Sequence, residues 1–176
     1  MEKEKGLVLV FTGNGKGKTT AALGLALRSW GHDMNVLMLQ FIKSRQCGEH
    51  LAVQRMQSEF EIRPLGRGFI NFNDAEDMVR QQQAAREALQ QVEDAMLSGQ
   101  YQVLILDEIL YALKYGLIDL PGVLALIDRK PDALHLVLTG RDAPPEIIDR
   151  AHLVTEMKEI KHPYQQGIPA QKGIEY

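Results

Sequence analysis

At 176 residues and 45% hydrophobic content, the chain is long enough to bury a sizeable core and reads as a single domain over residues 1–176. A net charge of −3 and an isoelectric point of about 6.0 leave no basic footprint for nucleic acid, and no apolar run reaches the roughly 20 residues that cross a bilayer. Residues 1–5 lack the apolar stretch of a secretion signal, and Cys47 is the single cysteine, so a cytoplasmic protein without an internal disulfide or a multi-cysteine zinc site is expected.

The first element is an apolar strand over Leu7–Thr12, which runs into Gly13, Asn14, Gly15, Lys16, Gly17, Lys18, Thr19 and Thr20. Glycines let the backbone turn its N–H groups toward an anion, and the helix that follows, small-sided through Ala21, Ala22, Gly24 and Ala26, adds the positive end of its dipole. Lys18 supplies a mobile cation to phosphates and Thr19 a hydroxyl for Mg²⁺. The pattern G-x-x-x-x-G-K-[ST] asks for glycine at position 12, where Thr12 stands beside Gly13. The strand before and the helix after favour a phosphate loop over a Gly/Lys-rich surface turn.

A strand over Asn35–Ile42, a helix over Gly48–Gln57 and a strand over Glu59–Arg63 come next, and Cys47 between them has no catalytic partner in sequence. The longest helix is capped by Asn73 or Asp74, carries Met78, Val79, Leu89, Val92 and Met96 on its apolar stripe, and stops at Ser98-Gly99. Leu97-Ser98-Gly99-Gln100 looks like a shortened transporter-ATPase signature, but it lies directly against the next strand with no helix between, and so reads as a helix stop. That strand, Val103–Asp107, is apolar throughout and ends in Asp107-Glu108, which delivers two carboxylates beside the phosphates to organise Mg²⁺ directly or through water. Helices over Ile109–Tyr115, Pro121–Arg129 and Pro144–Arg150 and strands over Leu134–Thr139 and His152–Glu156 continue the alternation. The expected architecture is α/β: a three-layer P-loop NTPase-like fold with a mostly parallel central sheet, helices on both faces and functional loops at the carboxyl ends of the strands.

Five stretches carry a more specific likeness: Thr12 to Ala22; Gln40-Phe41-Ile42-Lys43; Leu106-Asp107-Glu108; Leu138-Thr139-Gly140-Arg141; and the ending with Lys161-His162-Pro163, Gly167-Ile168 and Ala170-Gln171-Lys172-Gly173-Ile174-Glu175-Tyr176. Together they resemble the P-loop ATP:corrinoid adenosyltransferases over nearly the whole chain. That family carries the same Thr in place of the first glycine, and ordinary P-loop enzymes have nothing comparable to the ending. The resemblance implies transfer of the 5′-deoxyadenosyl group of ATP to the Co(I) centre of a corrinoid, with a carbon–cobalt bond formed and triphosphate released. It implies ATP, Mg²⁺ and a corrinoid as co-substrate, metal and substrate, an electron donor such as a reduced flavoprotein, a homodimer, and neither nucleic acid nor membrane as partner.

By the same resemblance, Gly13, Asn14, Gly15, Lys16, Gly17, Lys18, Thr19 and Thr20 hold the nucleotide, with Lys18 and Glu108 as the catalytic pair. Thr19 and Glu108 are expected to ligate Mg²⁺ directly, with Asp107 behind them. Arg28 is either near the nucleotide or a solvated helix-surface arginine, and Arg141 is placed to meet a phosphate or a corrinoid carboxamide. Phe69 and Phe72, within Gly66–Phe72, are expected to crowd the lower face of the corrin and displace its axial ligand, which eases reduction of Co(II); the family's Trp is Asn71 here. The competing reading of these rings is loop anchors packed on the core. His162 is assigned a structural role, because a cobalt ligand would oppose that reduction. A P-loop ATP hydrolase or nucleotide switch, with Glu108 orienting water and ADP and phosphate as products, is the alternative function.

Overall fold

In the computed structural model, which describes residues 5–56, 59–68 and 70–176, six strands form one sheet. They are β1 (Val8–Thr12), β2 (Val36–Gln40), β3 (Phe60–Pro64), β4 (Val103–Asp107), β5 (His135–Thr139) and β6 (Leu153–Glu156), in the order β3-β2-β4-β5-β1-β6. Each neighbouring pair is parallel, so the connections must cross the sheet, and helices make the crossings. The helices are α1 (Lys18–Trp30), α2 (Gly48–Val53), α3 (Ala75–Leu97), α4 (Ile109–Lys114), α5 (Leu120–Asp128) and α6 (Pro145–Ile148), followed by a 3₁₀ turn at Pro163–Gln166.

The central strands are apolar at successive positions because both faces of the sheet are covered. Leu37, Leu39, Leu104, Leu106, Leu136 and Leu138 point to the face packed by α3, α4 and α5. Their neighbours Val36, Met38, Val103, Ile105 and Val137 point to the opposite face, where Ala22 and Ala26 of α1 are fully buried. Small side chains on α1 let its axis come close to the sheet, which sets the helix N-terminus at the end of β1. The outermost strands are less protected: β6 is exposed along its length, and β3 ends in Pro64, which an edge strand tolerates because it has one partner.

Most elements fall within a residue of the sequence expectation, and the departures have local causes. Asp74 caps α3, its carboxylate accepting from the N–H groups of Glu76 (2.9 Å) and Asp77 (3.1 Å). The buried stripe of α3 is Gln81, Ala85, Ala88, Val92, Ala95 and Met96, and Val79, expected on it, is 62% exposed. Alanines at 85, 88 and 95 face the sheet and set the stripe, so Val79 falls to its solvent side while Met78 and Leu89 flank the core. Helix α2 ends at Val53 rather than Gln57, because Arg55 and Met56 bond back three residues to Ala52 and Val53 and tighten the chain; Gln57 lies outside the described residues. Helix α6 stops at Ile148, two residues short of Arg150. Among the described residues no helix is long and apolar enough to cross a membrane.

Candidate active site

The sheet order brings the carboxyl ends of β2, β4, β5 and β1 side by side, and with them Gln40, Asp107, Thr139 and Thr12. Between β1 and α1 the loop turns through Gly13 at φ 95° and Gly17 at φ 118°, left-handed values that glycine adopts without strain. A second constraint comes from across the fold. A Cβ on Gly13 or Gly15 would lie 2.5 or 2.7 Å from the carbonyl oxygen of Met157, just past β6. The Gly15 N–H donates to that same oxygen at 2.6 Å, so this amide, expected to face an anion, is committed to the chain beyond β6 instead. Thr12, standing where the motif asks for glycine, is buried and accepts from the Ala143 N–H at 3.2 Å, tying β1 to the loop after β5.

Lys18 curls over its own loop, its Nζ donating to the carbonyl oxygens of Gly13 (2.8 Å) and Gly15 (2.7 Å). Burial lowers its pKa from the usual lysine value, with Arg141 adding to the effect and the charges of Glu108 and Asp107 opposing it. Asp107 is fully buried and gripped on both oxygens: Thr19 and Thr139 hydroxyls donate to Oδ1 at 2.8 Å each, and Gln40 Nε2 donates to Oδ2 at 3.1 Å. The Thr19 proton is thereby directed at Asp107, which leaves the lone pairs of its oxygen for a cation.

Glu108 follows in the left-handed region at φ 61°, a strained conformation for a side-chain-bearing residue, and its N–H donates to Thr139 Oγ1 at 2.9 Å. Burial raises its carboxyl pKa above the ordinary glutamate value and the neighbouring Asp107 charge raises it further, against the pull of Lys18, Arg141 and Lys43. Two carboxylates held side by side in a partly dry site are in the arrangement that a divalent cation relieves.

Lys18, Thr19 and Glu108 open onto a cavity of about 440 Å³, with Asp107 buried behind them. Lys16, Lys18, Thr19, Thr20 and Glu108 line one side, and Gly173, Ile174, Glu175 and Tyr176 line another. Lys16 Nζ pairs with Glu175 at 2.8 Å, and Lys43, beyond the end of β2, pairs with Glu49 across the same hollow. Sequence reasoning gave no role to Lys43, Glu49, Gln40, Thr139 or Glu175. The rule that parallel sheets place functional groups just past their strand ends would have singled out Lys43 and Thr139.

Other expected residues fall in different places. Arg141 follows Gly140 at the end of β5, is exposed, and is close enough to act on the charges of both Lys18 and Glu108. Arg28 sits in the last turn of α1, ten residues beyond Lys18 and thus roughly 15 Å along the helix axis; it is exposed and does not line the cavity. Asn14 is exposed on the loop. Phe69 lies outside the described residues. Phe72 is no core anchor: it is 51% exposed, with its ring 4.8 Å from that of Tyr115, which in turn lies 4.3 Å from Tyr111. His162 caps the 3₁₀ turn, its Nδ1 accepting from the Tyr164 N–H at 3.2 Å. At Ser98-Gly99 the chain turns, with Gly99 at φ 68°, as a helix stop requires.

A family model described as ATP:corrinoid adenosyltransferase BtuR/CobO/CobP matches residues 4–176 of the chain. The corrinoid adenosyltransferase of Pseudomonas aeruginosa is 38% identical over 174 residues, 98% of this chain and 85% of that protein. Its counterpart in a Sinorhizobium species is also 38% identical, over 176 residues, 98% of this chain and 81% of that protein. The corrinoid adenosyltransferase of Escherichia coli K12 is 34% identical over 176 residues, 99% of this chain and 88% of its own.

Proposed function

The chain belongs to the ATP:corrinoid adenosyltransferase family, and we propose from that premise that it transfers the 5′-deoxyadenosyl group of ATP to the Co(I) centre of a corrinoid. The Co(I) electron pair forms the bond to the ribose 5′ carbon, the carbon–oxygen bond to the α-phosphate breaks, and triphosphate leaves whole. The observation that carries this reading is the shared cavity: the segment Gly173–Tyr176, whose motif sets the family apart from other phosphate-loop enzymes, faces Lys18 and Glu108 across one hollow.

The nucleophile brings its own electron pair and loses no proton, so the protein needs no general base. What remains for it is orientation and the stabilisation of charge on the departing triphosphate. Lys18 and Lys16 serve as the cations of the leaving-group site, with the amides of Gly17, Lys18 and Thr19 at the helix N-terminus and Arg141 from the end of β5. Lys18 gives up carbonyl partners when it turns to a phosphate, and these carbonyls impose no opposing full charge on that move.

The donor set suits Mg²⁺: the Thr19 hydroxyl and the Glu108 and Asp107 carboxylates are hard oxygen ligands at one strand end, and the like charges of the two acids favour a divalent cation between them and the phosphates. Thr19 and Glu108 would hold the ion, with Asp107 fixing Thr19 from behind. When bound, the ion supplies charge neutralisation to the triphosphate. On the corrinoid side, Phe72 presents an aromatic face backed by Tyr115 and Tyr111, and with Phe69 it is assigned to the lower face of the corrin. The full reading is a cytoplasmic homodimer that receives its electron from a donor such as a reduced flavoprotein.

The test is anaerobic incubation with Mg-ATP and chemically reduced cobalamin. The expected outcome is the absorption spectrum of an alkylcobalt species with one triphosphate released per corrinoid. ADP and phosphate with an unchanged cobalt spectrum would assign the protein to the hydrolases instead.

A further inference from the structure

The two lysines of the phosphate loop are held in chemically different ways. Lys18 bonds to carbonyl oxygens of its own loop, whereas Lys16 is paired at 2.8 Å with a full negative charge, Glu175, from 159 residues away. The segment that carries Glu175 is a turn closed by its own hydrogen bonds, Glu175 N–H and Ile174 N–H to the Gln171 carbonyl (2.8 and 3.1 Å) and Gly173 N–H to the Tyr176 carbonyl (2.8 Å). Ile174 and Tyr176 are largely exposed, so little apolar burial fixes the turn, and the ion pair is a polar tie from it to the phosphate loop.

We propose that Glu175 is an internal competitor of the triphosphate: it occupies Lys16 in the empty site, is displaced when the nucleotide's phosphates arrive, and retakes Lys16 as triphosphate leaves. The inference rests on the adenosyltransferase reading, because it concerns the leaving group of that reaction. A lysine ammonium cannot serve a carboxylate and a polyphosphate in the same small cavity without setting the two anions against each other. A leaving group expelled with all three phosphates is a product that a cationic cradle would hold too long. A carboxylate on a loosely packed turn weakens that hold without adding a group to the chemistry, and Glu175 is a positioning residue in this sense.

The experiment is calorimetric titration of the whole chain with inorganic triphosphate and, separately, with Mg-ATP, in the wild type, Glu175→Gln, Lys16→Ala and the double variant. Glu175→Gln is expected to tighten inorganic triphosphate by about threefold or more, the scale of a half-exposed ion pair. Lys16→Ala should weaken it, and adding Glu175→Gln to Lys16→Ala should then bring no gain. In turnover, Glu175→Gln should show stronger inhibition by added triphosphate, with KM for ATP and kcat falling together. Unchanged or weaker triphosphate binding in Glu175→Gln would overturn the proposal, as would a gain that persists undiminished without Lys16. If the wild type binds neither triphosphate nor Mg-ATP, the functional reading falls with it; if it binds both and Glu175→Gln makes no difference, the competitor role alone is lost.

Discussion

In the proposed chemistry Asp107 serves the phosphate side and Phe72 the corrinoid side, and the two are held in opposite ways. Asp107 is fully buried and accepts from three side chains on three different elements, while Phe72 leaves half its surface to solvent and leans on Tyr115. A carboxylate fixed before any ligand arrives has already met its reorganisation cost, so it holds the Thr19 hydroxyl in place for a cation with no further ordering. An exposed ring is ordered by the ligand that covers it, and that ordering is subtracted from binding. The phosphate side is thus a finished cradle and the aromatic side an adaptable one.

The largest test of that contrast is Lys18→Ala. Removing the cation proposed to meet the leaving group should lower kcat by about 10²- to 10³-fold, the usual loss for a group stabilising transition-state charge, with the far-ultraviolet circular dichroism unchanged. Activity within threefold of wild type would break the idea that this side is where charge is stabilised.

Next comes Glu108→Gln, which should slow turnover and raise the Mg²⁺ concentration needed for half-activity. In the metal-free protein the same change should raise the melting temperature at neutral pH. The folded pKa of Glu108 is raised by burial and by Asp107, so its ionisation opposes folding; the penalty is absent below the unfolded-state glutamate pKa and fully present above the folded one. The variant's advantage should therefore grow as pH rises through that window and vanish at acid pH. A variant less stable than wild type at neutral pH would show that the like-charge pair is compensated within the protein.

Asp107→Ala separates network from charge. It strands the donors on Thr19, Thr139 and Gln40, and denaturant unfolding should record a loss of about 1–3 kcal/mol. Asp107→Asn should lose less, because the Gln40 amide can turn over: its Oε1 is buried without a partner among the described residues and would accept from the new amide nitrogen. Equal losses in the two variants would mean that charge, not hydrogen bonding, sets the value of the network.

The smallest effect on stability belongs to Phe72→Ala, expected to fall within about 0.5 kcal/mol as for other exposed positions. Mg-ATP affinity should also stay the same, while the paramagnetic resonance signal of Co(II) corrinoid lacking its lower ligand should weaken. A parallel fall in Mg-ATP affinity would join the two sides of the proposed site.

The elements that the sequence made legible are those whose cause is local. The turn from β1 into α1, the apolar run ending in Asp107-Glu108, the Asp74 cap and the Gly99 stop each lie within a few consecutive residues, where backbone sterics, dipole and periodicity decide the outcome. Alternation of strands and helices was enough for a parallel sheet covered on both faces. Alternation carries no strand order, however, and the order β3-β2-β4-β5-β1-β6 is what sets Gln40 and Thr139 against Asp107 and Met157 against Gly15, while the chain beyond β6 brings Glu175 against Lys16. The same packing turned Val79 to solvent, because alanines took the sheet-facing side of α3, and left Arg28 at the far end of α1 from the glycine-rich loop. The sequence by itself determined the glycine-rich loop, the acidic strand end and the class of fold; which distant side chains hold them, and which charge waits on Lys16, was decided by contacts between segments more than thirty residues apart.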